Sequence, residues 1–200
     1  MATGKGPLRA AVRPARGRPP LGETERRRIL DATAAVFLEK GFERASTAEI
    51  ARRARASKQT LYALFPGKAD LFVAVMSAHT EQLFSHHAEH IESKKPPRQA
   101  LIEIGSMTLR MFSSPTFLAL YRILVAGAEN FPDLARKLWR VCKVRGNELL
   151  AEYLRARRIG GPNYRRSAEQ FVSLILGDYI LNVLLNPDFE LSERILKARV

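Results

Sequence analysis

Ser46-Thr47-Ala48-Glu49-Ile50-Ala51-Arg52-Arg53-Ala54-Arg55-Ala56-Ser57-Lys58-Gln59-Thr60-Leu61-Tyr62-Ala63-Leu64-Phe65 is the stretch that decides the fold. Ser46 with Glu49 three residues on forms a capping box, which predicts a helix starting there. Ile50 and Ala54, one turn apart, face inward. Ser57 is a second N-cap, and Leu61, Leu64 and Phe65 supply the apolar stripe of a second short helix. Two capped helices around a tight turn make a helix-turn-helix, whose second helix lies in the DNA major groove. Lys58, Gln59 and Thr60 then occupy its exposed first turn. From that position a Gln side chain pairs bidentately with an adenine.

Capped helix pairs also occur in bundles that never touch DNA, so the flanking residues matter. Ile29-Leu30-Asp31-Ala32, Phe37 and Gly41-Phe42 precede the motif, and Phe65, Lys68 and Leu71-Phe72 follow it. With Thr47-Ala48-Glu49-Ile50-Ala51 and Ser57-Lys58-Gln59-Thr60-Leu61-Tyr62, this pattern resembles the DNA-binding domain of TetR/AcrR-family transcriptional regulators over residues 23–83. The expected DNA contacts are Thr47, Arg55, Lys58, Gln59, Thr60, Tyr62 and Lys68; the resemblance implies that Tyr62 and Lys68 lie on phosphates, whereas a phosphate contact by Arg55 is this chain's own. One position departs from the pattern. The family usually places Gly where Arg55 stands, because that residue takes the left-handed conformation, and a side chain there costs about 1 kcal/mol.

Charge is distributed unevenly. From Met1 to Lys68 there are fifteen Lys or Arg and six acids, so +9 of the chain's +13 lies in its first third. A basic end of this kind is the electrostatic footprint of nucleic-acid binding. Attraction to a membrane surface fits poorly, because the first residues lack apolar periodicity. Residues 1–22 contain no acid and are rich in Arg, Pro, Gly and Ala, the composition of a disordered basic arm. Within it Arg16-Gly17-Arg18-Pro19 resembles the core of an AT-hook. Two readings stand: Arg16 and Arg18 enter a narrow A·T-rich minor groove, or they attract phosphates without regard to sequence. The prolines argue against an amphipathic transit peptide.

The chain of 200 residues is 46% hydrophobic, enough for one sizeable core and a small module. The single cysteine, Cys142, permits no intrachain disulfide and points to a reducing cytoplasm. The apolar runs Phe117–Ala128 and Phe171–Leu185 are too short to span a bilayer, so no membrane partner is expected. His79, His86 and His90 fall on one helix face, with metal-ligand spacing between the last two. No Cys or acid joins them at motif spacing, so neither a metal nor a cofactor is expected. No nucleophile elbow, phosphate loop or dinucleotide fingerprint occurs, and no residue nominates itself as catalytic. An enzyme is not expected.

Beyond the motif the chain reads as successive helices, giving an all-α fold. Breaks at Pro66-Gly67, Lys94-Lys95-Pro96-Pro97, Ser113-Ser114-Pro115 and Gly160-Gly161-Pro162 bound helices over about 68–91, 98–112, 116–126, 132–158, 167–185 and 189–197. Residues 84–200 are expected to form a helical ligand and dimer domain, as the resemblance implies. The run Ala128-Glu129-Asn130-Phe131-Pro132-Asp133-Leu134-Ala135, with Ala168-Glu169-Gln170-Phe171, further resembles the AefR-like subset of the family. A ligand pocket is expected around the apolar helix 116–126, lined by Met107, Met111, Phe112, Tyr121, Arg122, Trp139 and Phe171. Arg122 either anchors an anionic group or snorkels to solvent.

The segment 167–185 is apolar nearly all round, so it must be covered on every side. One face meets its own core and the other a second subunit. The expected dimer interface comprises Phe171, Leu174, Gly177, Asp178, Leu181 and Leu185, with Gly177 allowing close backbone approach. The function expected is a cytoplasmic homodimeric transcriptional regulator, a repressor released from a palindromic operator when a small hydrophobic or aromatic ligand binds. Ligand and DNA then oppose each other reciprocally. The alternative is an architectural binder of A·T-rich DNA with little sequence preference.

Overall fold

A computed structural model of the chain describes residues 21–92, 95–186 and 188–200, with the side chains of 21, 82–84 and 86–92 outside that description. The basic arm with Arg16 and Arg18, and the side chains of His86 and His90, therefore lie outside the described residues. Among the described residues every regular element is helical.

Helix α1 (Leu21–Arg44) is interrupted at Gly41, whose φ of 72° and ψ of 175° suit a residue without Cβ. That interruption turns Phe42 into an aromatic triangle with Phe37 and Phe72, at centroid distances of 5.1 to 5.7 Å. Helices α2 (Thr47–Arg53) and α3 (Lys58–Leu64) pack beneath α1, and α4 (Lys68–Glu92) follows across a 64° bend. Ile29, Val36, Ile50, Ala54, Leu61, Leu71 and Phe72 close this core almost completely. Leu64 departs from the expected stripe. It is 39% exposed, because α3 ends there and Phe65 turns inward in its place.

The second half comprises α5 (Pro97–Ser113), α6 (Pro115–Gly127), α7 (Pro132–Leu138), α8 (Arg145–Arg157), α9 (Tyr164–Leu176), α10 (Tyr179–Leu185) and α11 (Glu193–Arg199). Proline at the first turn of α5, α6 and α7 sets φ and removes a donor that would lack a partner anyway. Two expected helices are divided. The segment 132–158 contains a π-helical turn, Trp139–Val144, between α7 and α8. The apolar segment 167–185 breaks at Gly177 (φ 30°, ψ −128°), bending α10 by 44° from α9. The last helix starts later than expected because Ser192 is its N-cap, its Oγ accepting from Ile195 N at 3.2 Å.

The core of α1–α4 does not stop at the expected boundary near residue 83. It continues without interruption into Phe117 and Leu120 of α6 and Leu134 and Leu138 of α7. Phe131 stacks edge-on against Phe42 at 4.8 Å, and Lys137 pairs with Asp70 in the first turn of α4. Two smaller clusters hold the remaining helices, one around Leu150, Tyr153 and Ala168, the other around Leu109, Ile175 and Tyr179. No single described helix is long and apolar enough to cross a membrane.

Candidate functional site

The turn between α2 and α3 has the hydrogen bonds of a Schellman motif. Ala56 N donates to Ala51 O at 2.9 Å and Arg55 N to Arg52 O at 3.2 Å. Arg55 occupies the left-handed position with φ 49°, where the departure from Gly was noted. Its carbonyl receives Arg28 Nη2 at 3.5 Å, so the first helix braces the turn. Ser57 Oγ accepts from Thr60 N at 2.9 Å, fixing the start of α3.

Half of the capping box at Ser46 is formed. Ser46 Oγ accepts from Glu49 N at 3.2 Å, but the Glu49 carboxylate does not reach back. It pairs with Lys40 and, at 2.8 Å, with Arg53, whose guanidinium also grips Glu39 in a bidentate pair at 2.5 and 2.6 Å. Charge-assisted bonds win over a neutral N–H donor. Arg53 holds the Glu39 carboxyl below the usual range, and Lys40 with Arg53 does the same for Glu49.

This scaffold leaves Lys58 and Gln59 exposed at the first turn of α3. Thr60 is half-buried, its hydroxyl 2.8 Å from Ser57 Oγ, and so belongs partly to the cap. Tyr62 is 48% exposed and its hydroxyl lies 2.9 Å from Thr47 Oγ1, bringing those two residues together at the head's edge. Lys68 donates to Glu43 O at 2.8 Å and Ala45 O at 3.2 Å and sits 4.8 Å over the Phe42 ring. Burial lowers its pKa. Two of its three N–H groups are used by these carbonyls. The brace by Arg28 has no local mark in the sequence beyond the run Arg26-Arg27-Arg28.

The second half encloses a cavity of about 600 Å³. Its walls come from Met76 and Thr80 of α4, Thr108, Met111 and Phe112 of α5, and Phe117, Tyr121, Leu124 and Val125 of α6. The far side is built by Leu138, Trp139, Cys142, Lys143 and Asn147, closed by Glu169, Val172, Ser173 and Leu176 of α9 and Ile180 of α10. Trp139, Cys142 and Lys143, all within the π-helical turn, share one wall. Trp139 is 58% exposed at the opening, with Lys143 Nζ 3.8 Å above its ring. Burial pushes the Cys142 thiol up, and a hydrogen bond with Thr80 opposes that; burial also pushes the Tyr121 phenol up.

Of the residues named from the sequence for a pocket, Met111, Phe112, Tyr121 and Trp139 line the cavity, whereas Met107, Phe171 and Arg122 do not. Met107 lies roughly a quarter turn round α5 from the face carrying Thr108, Met111 and Phe112. Phe171 is wedged between the two smaller hydrophobic clusters. Arg122 donates to Val183 O at 2.6 Å and Leu184 O at 3.4 Å, capping the end of α10 and tying α6 to it.

Of the residues expected at a dimer interface, Leu174, Leu181 and Leu185 are 80%, 57% and 79% exposed. Asp178 instead pairs with Arg199 at 2.5 Å, which holds its carboxyl low. Gly177 shapes the bend, and Phe171 is half-buried within its own chain.

Residues 29–75 match the family described as bacterial regulatory proteins of the tetR family, and residues 99–200 match the C-terminal domain of AefR-like transcriptional repressors. The chain belongs to the TetR family. Among curated relatives it is 37% identical over 82 residues to the HTH-type transcriptional activator FasR of Mycolicibacterium smegmatis, covering 40% of this chain and 37% of that protein. The chain therefore spans little more than a third of that relative. A solved TetR-family transcriptional regulator of Mesorhizobium loti superposes with a TM-score of 0.74 at 23% identity, covering 90% and 93% of the two chains. The flavonoid-responsive regulator FrrA gives 0.68 at 28% identity, covering 88% and 91%.

Proposed function

We propose that this TetR-family chain is a homodimeric DNA-binding regulator of transcription, working in the cytoplasm, whose operator affinity is set by a small apolar molecule in the cavity. The observation that carries the reading is continuity. The core that positions α2 and α3 is the same core whose far side walls the cavity, through Met76, Phe117 and Leu138. A ligand that moves α6 or α7 therefore bears on Asp70 and Phe42 at the base of the head. A response to a small molecule has a parallel in FrrA, whose name describes it as flavonoid-responsive. Repression is the direction taken from the AefR-like C-terminal match.

Gln59 and Lys58 read base edges, Thr60 supports the cap beside them, and Thr47, Tyr62, Lys68 and Arg55 hold the phosphates. The exposed leucines of α9 and α10 pair with those of a second copy. Two heads then read two half-sites one helical turn apart, and the operator is palindromic. Selection of binding sites from random duplexes by the purified chain tests this. A short palindrome is expected, and Gln59→Ala should relax one base position in each half-site, costing about 1–3 kcal/mol at the preferred base. Broad A·T-rich enrichment without a palindrome would instead establish the architectural reading.

A further inference from the structure

The cavity wall contains two kinds of polar group. Thr80 and Thr108 are satisfied within their own helices, their hydroxyls donating to Ser77 O at 3.0 Å and Ile104 O at 2.9 Å. Asn147 is different. Only 6% of it is exposed, it lies on the wall, and among the described residues its amide has no hydrogen-bond partner. The half-buried Tyr121 hydroxyl has none either. Buried polar groups in native proteins are almost always paired, so an unpaired amide facing an apolar void indicates a partner that arrives from outside the chain.

The charges of the wall narrow the partner further. Lys143 and Glu169 are both exposed, of opposite sign, and Lys143 lies over the Trp139 ring. Arg122 is committed to the carbonyls of α10. The Tyr121 phenol is protonated at neutral pH, and burial raises its pKa further. An anionic group deep in this space would lose its water, and the wall's lysine, Lys143, lies exposed over Trp139 at the opening rather than in the interior. An amide and a phenol offer both donors and an acceptor to a neutral group instead.

We infer that Asn147 is the specificity-determining residue of the cavity, selecting an uncharged, mostly apolar ligand that carries one carbonyl or hydroxyl group. Tyr121 shares that group. A volume of about 600 Å³ suits such a molecule of drug-like size. The inference rests on the reading of the cavity as an effector site, and the experiment separates the two.

Three probes of closely similar shape decide the matter: 2-acetylnaphthalene, 2-isopropenylnaphthalene and 2-naphthoate, at neutral pH. Trp139, the sole tryptophan and a wall residue, reports binding through its fluorescence. The ketone should bind about tenfold more tightly than either the hydrocarbon or the carboxylate, the value of one hydrogen bond to a waiting partner. Asn147→Leu should erase the ketone's advantage and leave the hydrocarbon bound as before. Naphthoate binding most tightly, or a ketone preference that survives Asn147→Leu, overturns the inference. Equal binding of all three also overturns it while leaving the cavity reading intact; no binding by any of them removes that reading as well. The wild-type ranking needs no variant, and Asn147→Ala replaces Asn147→Leu if the latter does not fold.

Discussion

The head and the cavity half are built on opposite plans. Around α2 and α3 the interior is closed: three phenylalanines interlock, two serines cap their helices, and Arg53 fastens α2 to α1 through Glu39. The other half surrounds a void, and two of its long helical segments are interrupted, one by a π-helical turn and the apolar one by the bend at Gly177. A reader of base edges needs fixed geometry, and an effector site needs alternative arrangements that a ligand can select. The two plans meet at α4, which supplies Phe72 to the first and Met76 and Thr80 to the second.

The most forceful way to break that contrast is to make the same truncation in both places. Phe72 is fully buried, and Phe72→Ala should cost about 3–5 kcal/mol and abolish operator binding at growth temperature. Phe112 is half-buried on the cavity wall, where part of its surface already meets no neighbour. Phe112→Ala should cost roughly 1–2 kcal/mol, because fewer contacts are lost and less new void is made. Chemical denaturation of the two variants checks both figures. Equal losses would mean that the cavity half is packed as tightly as the head.

How much of this could be read from the sequence follows the same division. Ser46, Ser57, Ile50, Ala54, Leu61 and the strained Arg55 were all legible, because caps and turns depend on residues within one or two turns of each other. The missing half of the capping box was not, since Lys40 lies nine residues from Glu49 and competes only after folding. The cavity was legible where apolar residues cluster on α5 and α6 and at the sole tryptophan, Trp139. Asn147 and Glu169 come from helices with no local mark of a shared space. A π-helical turn adds a residue to one turn without changing composition, so residues 139–144 read as ordinary helix. From the sequence alone Gly177 reads as a point of close approach. In an apolar run its positive φ gives no local signal, yet that φ is what redirects Leu181 and Leu185 relative to Leu174.

That bend supplies the second test. At φ 30° and ψ −128° a side chain is strained whatever the surrounding space, so Gly177→Ala should cost about 1–3 kcal/mol. If the bend sets the leucine face, α10 should straighten toward α9 and the dimer dissociation constant should rise with the loss of stability. Sedimentation equilibrium and thermal unfolding together read both effects. A variant that loses stability but dimerises as before would confine the role of Gly177 to its own chain, and unchanged stability would show that the two helices tolerate a single axis.

The smallest effects separate the two halves by pH. His79, half-way along α4 and 6.4 Å edge-on from Phe117, has its pKa lowered by burial, with the Asp31 charge opposing. Its unfolded imidazole binds a proton that the folded one refuses. The stability it contributes is therefore present above the ordinary value of 6.5 and is lost as pH falls from there toward the lowered folded value. In the head, Glu39 and Glu49 are held below their ordinary 4.5, so their contribution is complete above that value and is lost only as pH falls further. Two limbs are expected in a plot of unfolding midpoint against pH. His79→Leu should flatten the limb below 6.5, and Arg53→Gln the limb below 4.5. High salt should shrink the second limb in part, through the exposed Arg53–Glu39 pair more than the half-buried pairs of Glu49, and leave the first, because burial of His79 is insensitive to ionic strength. If one substitution flattened both limbs, the head and the cavity half would unfold as a single unit in acid, and the continuous core through α4 would dominate over the difference between them.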